Sequence, residues 1–64
     1  MMVTNMNGTE IYMDAAVELM DDELREALAA EGFETEQEFF TAYEKAHAEK
    51  YGEEWELSKV SPQY

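Results

Sequence analysis

Apolar residues recur at helical spacing through most of the chain, and the polar breaks between those runs divide it into three elements. Met1 to Asn7 is polar with no period, and the expectation is that it frays. From Thr9, whose hydroxyl suits a helix N-cap, a first helix is predicted over Glu10 to about Met20. Met13, Ala16, Val17 and Met20 fall on one face of it, and Tyr12 and Leu19 widen that face. Thr9, Ile11 and Tyr12 also tolerate β geometry, so a short strand over Thr9 to Met13 with Asp14 as the helix cap is the second option.

Asp21, Asp22 and Glu23 interrupt the apolar run and read as an N-cap followed by acids that favour the positive end of a helix dipole. A second helix is predicted from Asp22 to about Ala30, with Leu24, Ala27 and Leu28 inward and Gly32 ending it. Val17, Met20, Leu24, Ala27 and Leu28 would equally keep a heptad through one unbroken helix. The third element has the strongest signal. Thr35-Glu36-Gln37-Glu38 is a capping box and Gly52 a stop, predicting a helix from Glu36 to Tyr51. Its apolar side carries Phe39, Phe40, Tyr43, Ala46, His47 and Tyr51. Beyond it, Glu54-Trp55-Glu56-Leu57 alternates, so Trp55 and Leu57 are expected to fold back as an extended lid. The predicted fold is all-α: a small three-helix domain over residues 9–57 with a short extended C-terminal segment, flanked by a flexible N-terminus, 1–8, and a flexible tail, 58–64.

Composition changes this picture in two ways. Below roughly 70 to 80 residues one core rarely supplies more than ~3 to 5 kcal/mol, so small domains often rely on disulfides, a metal or a partner subunit. The 64 residues include no cysteine, which leaves dimerisation as the most available support. The second change is electrostatic. Sixteen acids against four Lys or Arg give a formal charge of -12 and a pI near 4.1, a surface that repels phosphate backbones and anionic membranes and calls for a basic partner. No uncharged run is long enough to span a bilayer and no basic leader precedes an apolar stretch, so a cytoplasmic location is expected.

Catalytic and metal chemistry find little support. Glu44 and His47 form one Glu-x-x-His pattern, the spacing used by di-metal carboxylate bundles. Such sites need two copies and two more glutamates, supplied here only by a dimer, and the spacing arises easily by chance. The simpler reading is a partly buried histidine beside a solvent-exposed glutamate. One histidine and no cysteine leave no base paired by pattern with a nucleophile. Gly8, Gly32 and Gly52 are isolated at helix boundaries and cradle no phosphate. Asn7-Gly8-Thr9 matches a glycosylation sequon but reads as a turn before a cap. No enzyme activity, cofactor or metal is expected.

The acids themselves are the candidate site. Asp14, Glu18, Asp21, Asp22, Glu23 and Glu26 follow one another along the first two helices, relieved only by Arg25. Glu53, Glu54 and Glu56 surround Trp55, and Glu31, Glu34, Glu36 and Glu38 run through the turn into the third helix. With a rise of about 1.5 Å per residue, acids four apart on a helix lie roughly 6 Å apart, comparable to backbone phosphates. Such rows fit a nucleic-acid channel on a basic protein, with Tyr12, Tyr51 or Trp55 as apolar anchors. The competing reading is a helical interaction module that dimerises or docks through its aromatic face, its charge serving solubility alone.

The stretch Glu38-Phe39-Phe40-Thr41-Ala42-Tyr43-Glu44-Lys45-Ala46-His47, continuing through Lys50-Tyr51-Gly52-Glu53-Glu54-Trp55-Glu56-Leu57, resembles small acidic accessory proteins of bacterial mobile elements. Met13-Asp14-Ala15-Ala16-Val17 and Leu19-Met20-Asp21-Asp22-Glu23 resemble their front half. The resemblance spans most of the chain from Asn7 onward and carries over no catalytic residue. It implies a setting in which anti-restriction and anti-CRISPR inhibitors occur, several of them DNA mimics. The function expected is a non-enzymatic acidic binding protein that competes with nucleic acid for a basic nucleic-acid-binding protein.

Overall fold

A computed structural model describes residues 1–61, and the last three residues of the expected tail, 62–64, lie outside them. The chain runs β1 (Met2–Thr4), β2 (Glu10–Tyr12), α1 (Met13–Glu18), α2 (Asp22–Ala29), α3 (Glu36–Tyr51) and a 3₁₀ turn over Glu56–Ser58. The fold is therefore mixed α and β, and the all-α expectation is corrected by a two-stranded antiparallel sheet. Its register pairs Met2 with Tyr12, Val3 with Ile11 and Thr4 with Glu10.

The sheet occupies the segment expected to fray. A three-residue strand shows no period, and only Val3 of β1 points inward, so the pattern carried no signal. Asn5 makes the hairpin loop compact: its Oδ1 accepts the N–H groups of Asn7 and Thr9, both at 2.9 Å. Gly8, at φ 84°, takes the left-handed conformation that this turn requires. The other edge of β1 is covered by α3, because the Gln37 amide accepts from Thr4 N–H at 2.7 Å and donates to Thr4 C=O at 2.8 Å. That side chain reproduces the pairing of a missing third strand.

The first helix is half the expected length, since β2 takes Glu10 to Tyr12 and α1 starts at Met13. The second option, a strand before the helix, is the nearer one, although Tyr12 occupies the cap position and not Asp14. Thr9 caps nothing, and its hydroxyl donates instead to Val60 C=O at 2.8 Å. At Asp21 the chain does break, as the cap reading requires: its Oδ2 accepts from Leu24 N–H at 3.1 Å and α2 follows. The unbroken-heptad option falls with it. In α2, Leu28 is buried, Leu24 half-buried and Ala27 exposed.

α3 keeps its predicted bounds. Thr35 Oγ1 accepts from Glu38 N–H at 3.1 Å, and Gly52, at φ 71°, closes the helix with its N–H on Ala48 C=O. The core gathers on this helix, where Phe40 and Tyr43 are fully buried and meet Val3, Met13, Ala16, Met20, Leu28 and Trp55. Trp55 folds back as expected, its ring 4.5 Å from that of Tyr43 and 5.5 Å from that of Phe40, but a 3₁₀ turn follows it in place of an extended lid. Ser58 is buried and Val60 C=O accepts from Asn5 and Thr9, so the segment expected to begin a loose tail is pinned to the hairpin loop.

Candidate acidic binding face

Of the sixteen carboxylates, fourteen are exposed, Asp21 is half-buried and Glu44 is buried, so the charge is carried almost wholly at the surface. Asp14 and Glu18 lie one turn apart on α1, while Asp22, Glu23 and Glu26 occupy α2. Glu53 and Glu54 follow the end of α3 and are exposed. Cations relieve few of these groups. Arg25 pairs with Asp22 at 3.2 Å, and Lys50 reaches from α3 to Asp21 at 3.1 Å and Glu23 at 3.2 Å. The remaining thirteen carboxylates have no ion pair among the described residues, and Lys45 and Lys59 pair with none of them.

Asp21 differs from the rest of the row because it is committed to the fold. Besides capping α2 and receiving Lys50, its carboxylate accepts the Tyr51 hydroxyl at 3.0 Å. The Leu24 amide and then the Lys50 ammonium hold it below the ordinary value of 3.8. Hydrogen bonds to Asp21 and Glu23 push the Lys50 ammonium above its usual range. Lys50 also lies 5.2 Å from the centre of the Tyr51 ring, so one cation joins α2 to the end of α3.

Trp55, expected beside the acids as an anchor, is only 4 % exposed and belongs to the core. Its neighbours Glu53 and Glu54 remain outside. The exposed apolar side chains nearest the acid rows in sequence are Tyr12, Leu19 and Tyr51, at 65 %, 57 % and 48 % exposure. Of the aromatic stripe on α3, Phe40 and Tyr43 are inside and Tyr51 is exposed, with its hydroxyl on Asp21.

Sequence reasoning missed the role of Glu44. It was expected in solvent, yet it is 3 % exposed and its Oε2 accepts the N–H of Met6 at 3.1 Å. No local signal marks this, since its partner lies 38 residues away in the hairpin loop. His47 sits instead among aromatic rings, its centroid 5.9 Å from Tyr43 and 4.7 Å from Tyr51. Among the described residues, no three His, Cys, Asp or Glu side chains converge as a metal site.

The sequence matches a known family model, that of anti-CRISPR protein AcrIC5, over residues 4–55. The match covers β2, all three helices and Trp55. The chain belongs to the AcrIC5 anti-CRISPR family. Membership supports an inhibitory role and agrees with a small accessory protein of mobile elements, the broader form of the resemblance carried by Met13 to Glu23 and Glu38 to Leu57. It is compatible with a chain that binds and does not catalyse. No curated protein matches the chain. Among the described residues, no helix is long and apolar enough to cross a membrane.

Proposed function

We propose that this AcrIC5-family chain acts in the cytoplasm as a nucleic-acid mimic, using the carboxylates of α1, α2 and the segment after α3 to occupy a phosphate-binding surface on a CRISPR–Cas protein. One observation carries the reading: thirteen carboxylates lack an ion pair among the described residues, and the two cations that pair with acids serve Asp21, Asp22 and Glu23. An acidic surface built only for solubility usually intersperses both signs. Here Asp14, Glu18 and Glu26 stand exposed without a cationic partner among the described residues, in reach of lysines and arginines that would otherwise hold a phosphate backbone. Attraction of this kind steers association and weakens as salt screens it.

The rival, docking through the aromatic stripe of α3, has less surface to use. Phe40, Tyr43 and Trp55 are consumed by the core, which leaves Tyr12, Leu19 and Tyr51 as apolar contacts beside the acids, of which Tyr51 alone is on α3. The deciding experiment is competition. A CRISPR–Cas complex captured by the protein should lose it to excess DNA, and simultaneous, non-interfering binding of both would exclude mimicry.

A further inference from the structure

The two edges of the small sheet end differently. Asn5 N–H donates to Thr9 C=O and Met13 N–H to Met1 C=O, so with Val3 opposite Ile11 the odd-numbered residues turn their backbone groups into the ladder. The even-numbered residues turn theirs outward. On β1 the outward groups of Thr4 are taken by the Gln37 amide. On β2 the outward groups belong to Glu10 and Tyr12. The Tyr12 carbonyl starts α1, but the N–H groups of both residues and the Glu10 carbonyl have no partner among the described residues.

The side chains beside this edge select what can pair with it. Glu10 is exposed without an ion pair among the described residues, and so is Asp14, just beyond Tyr12. Tyr12 and its cross-strand partner Met2, 65 % and 45 % exposed, add an apolar step to the same face. In an antiparallel pair, the residue that exchanges two bonds with Glu10 would also set its Cβ roughly 5 Å from that of Glu10. We infer that the outer edge of β2 receives an extended segment of the basic partner as a third, antiparallel strand, with a lysine or arginine opposite Glu10 and an apolar residue two positions earlier opposite Tyr12. A second copy of this chain fits badly, because it would bring two formal charges of -12 together. Glu10 thus admits a basic strand and turns away an acidic one. This docking takes from the reading above only that the partner is basic, and it adds directional backbone bonds to an otherwise diffuse attraction.

The intact protein is titrated with the peptide acetyl-Thr-Val-Thr-Lys-Thr-amide while backbone amide shifts and hydrogen exchange are followed. Saturable downfield shifts and slowed exchange are expected at Glu10 and Tyr12, with Ile11 little changed because its N–H already faces Val3 in the ladder. The same peptide N-methylated at Val and Lys keeps its charge but cannot join the ladder, and should leave those two amides unaffected. Tyr12→Pro removes one donor at a residue whose φ of -69° suits proline, and should weaken binding roughly two- to tenfold. Tyr12→Ala keeps the donor and should weaken it less. Equal responses to the two peptides, shifts spread over α1 and α2, or no saturation would overturn the added strand. Protection of Glu10 and Tyr12 that rises with protein concentration in the absence of peptide would also overturn it, since that marks pairing between copies. Reversing Glu18, Asp22 and Glu26 to Lys should leave the peptide's footprint on Glu10 and Tyr12 in place. A mimic that fails to compete with DNA would thus leave the added strand standing, and the reverse also holds.

Discussion

The phenol oxygen of Tyr43 accepts the backbone N–H of Asp21 at 2.7 Å, tying a fully buried aromatic side chain to the residue at which α1 gives way to α2. Asp21 in turn caps α2 and receives Lys50 and Tyr51 from α3. A single junction therefore fixes how the acid-bearing helices sit on the aromatic one.

Removing only the phenol oxygen should show what that junction contributes. Tyr43→Phe leaves the Asp21 amide without its acceptor and is expected to cost about 1 to 3 kcal/mol, whereas Tyr43→Ala should cost about 3 to 5 kcal/mol, comparable to the whole stability of so small a domain. Thermal melts of both variants measure the difference. Equal, negligible shifts would mean that the core does not rest on this side chain.

Acidification should act through Asp21: its folded pKa is depressed below 3.8, so its contribution is present above that value and is lost as pH falls through the folded one. Asp21→Asn should flatten the decline below about pH 4. At the alkaline end, burial raises the Tyr43 phenol above its ordinary value of 10.0, so its contribution holds below that value and is lost as pH climbs through the folded one. A pH series of melts on the parent and the variant tests both ends.

Added sodium chloride should stabilise the protein, because thirteen of its sixteen carboxylates have no ion pair among the described residues. Melting temperatures should climb over the range from low salt to several hundred millimolar. Indifference to salt would show that the acids are too far apart to interact, and would weaken the case for a mimic as well.

Asn5 should prove as important as a core residue. Its side chain accepts from Asn7 and Thr9 and donates to Leu57 and Val60 carbonyls at 2.8 and 2.9 Å. Asn5→Ala removes all four bonds and should cost roughly 2 to 4 kcal/mol. Hydrogen exchange should then accelerate at Asn7, Thr9 and Ser58 together, since one side chain orders both segments.

Reversing Asp14, Glu18, Asp22 and Glu23 to Lys, with Asp21 left in place, should abolish binding to the CRISPR–Cas target while helical content is retained. Circular dichroism and a binding assay at two salt concentrations separate the two effects. Including Asp21→Lys in the set should unfold the junction and confuse them.

What could be read from the chain was what neighbours in sequence decide. Thr35 and Gly52 set the ends of α3, and Asp21 the start of α2, because caps act within one turn; of the capping box only the Thr35 half forms among the described residues. β1 was hidden because Val3 alone points inward in it and its pairing with Ile11 is a tertiary event, whereas β2 was legible as the second option through Thr9, Ile11 and Tyr12. Glu44 and Asn5 escaped for the same reason, their partners lying 38 and more than 50 residues away. In the acid row, exposure followed from amphipathic spacing, but the capture of Asp21 by Lys50 and Tyr51 did not; the alternation around Trp55 foretold its return to the helices, and that same return withdraws it as an anchor.

The bond from Asn5 to Val60 also fixes when folding can finish. It joins residues 55 positions apart, so the hairpin loop closes only once the segment beyond α3 has folded back onto it. Until then Asn5 lacks its Leu57 and Val60 acceptors and the aromatic side of α3 lacks Trp55. A chain cut before Trp55 would leave Phe40 and Tyr43 uncovered to whatever chaperone or protease meets it.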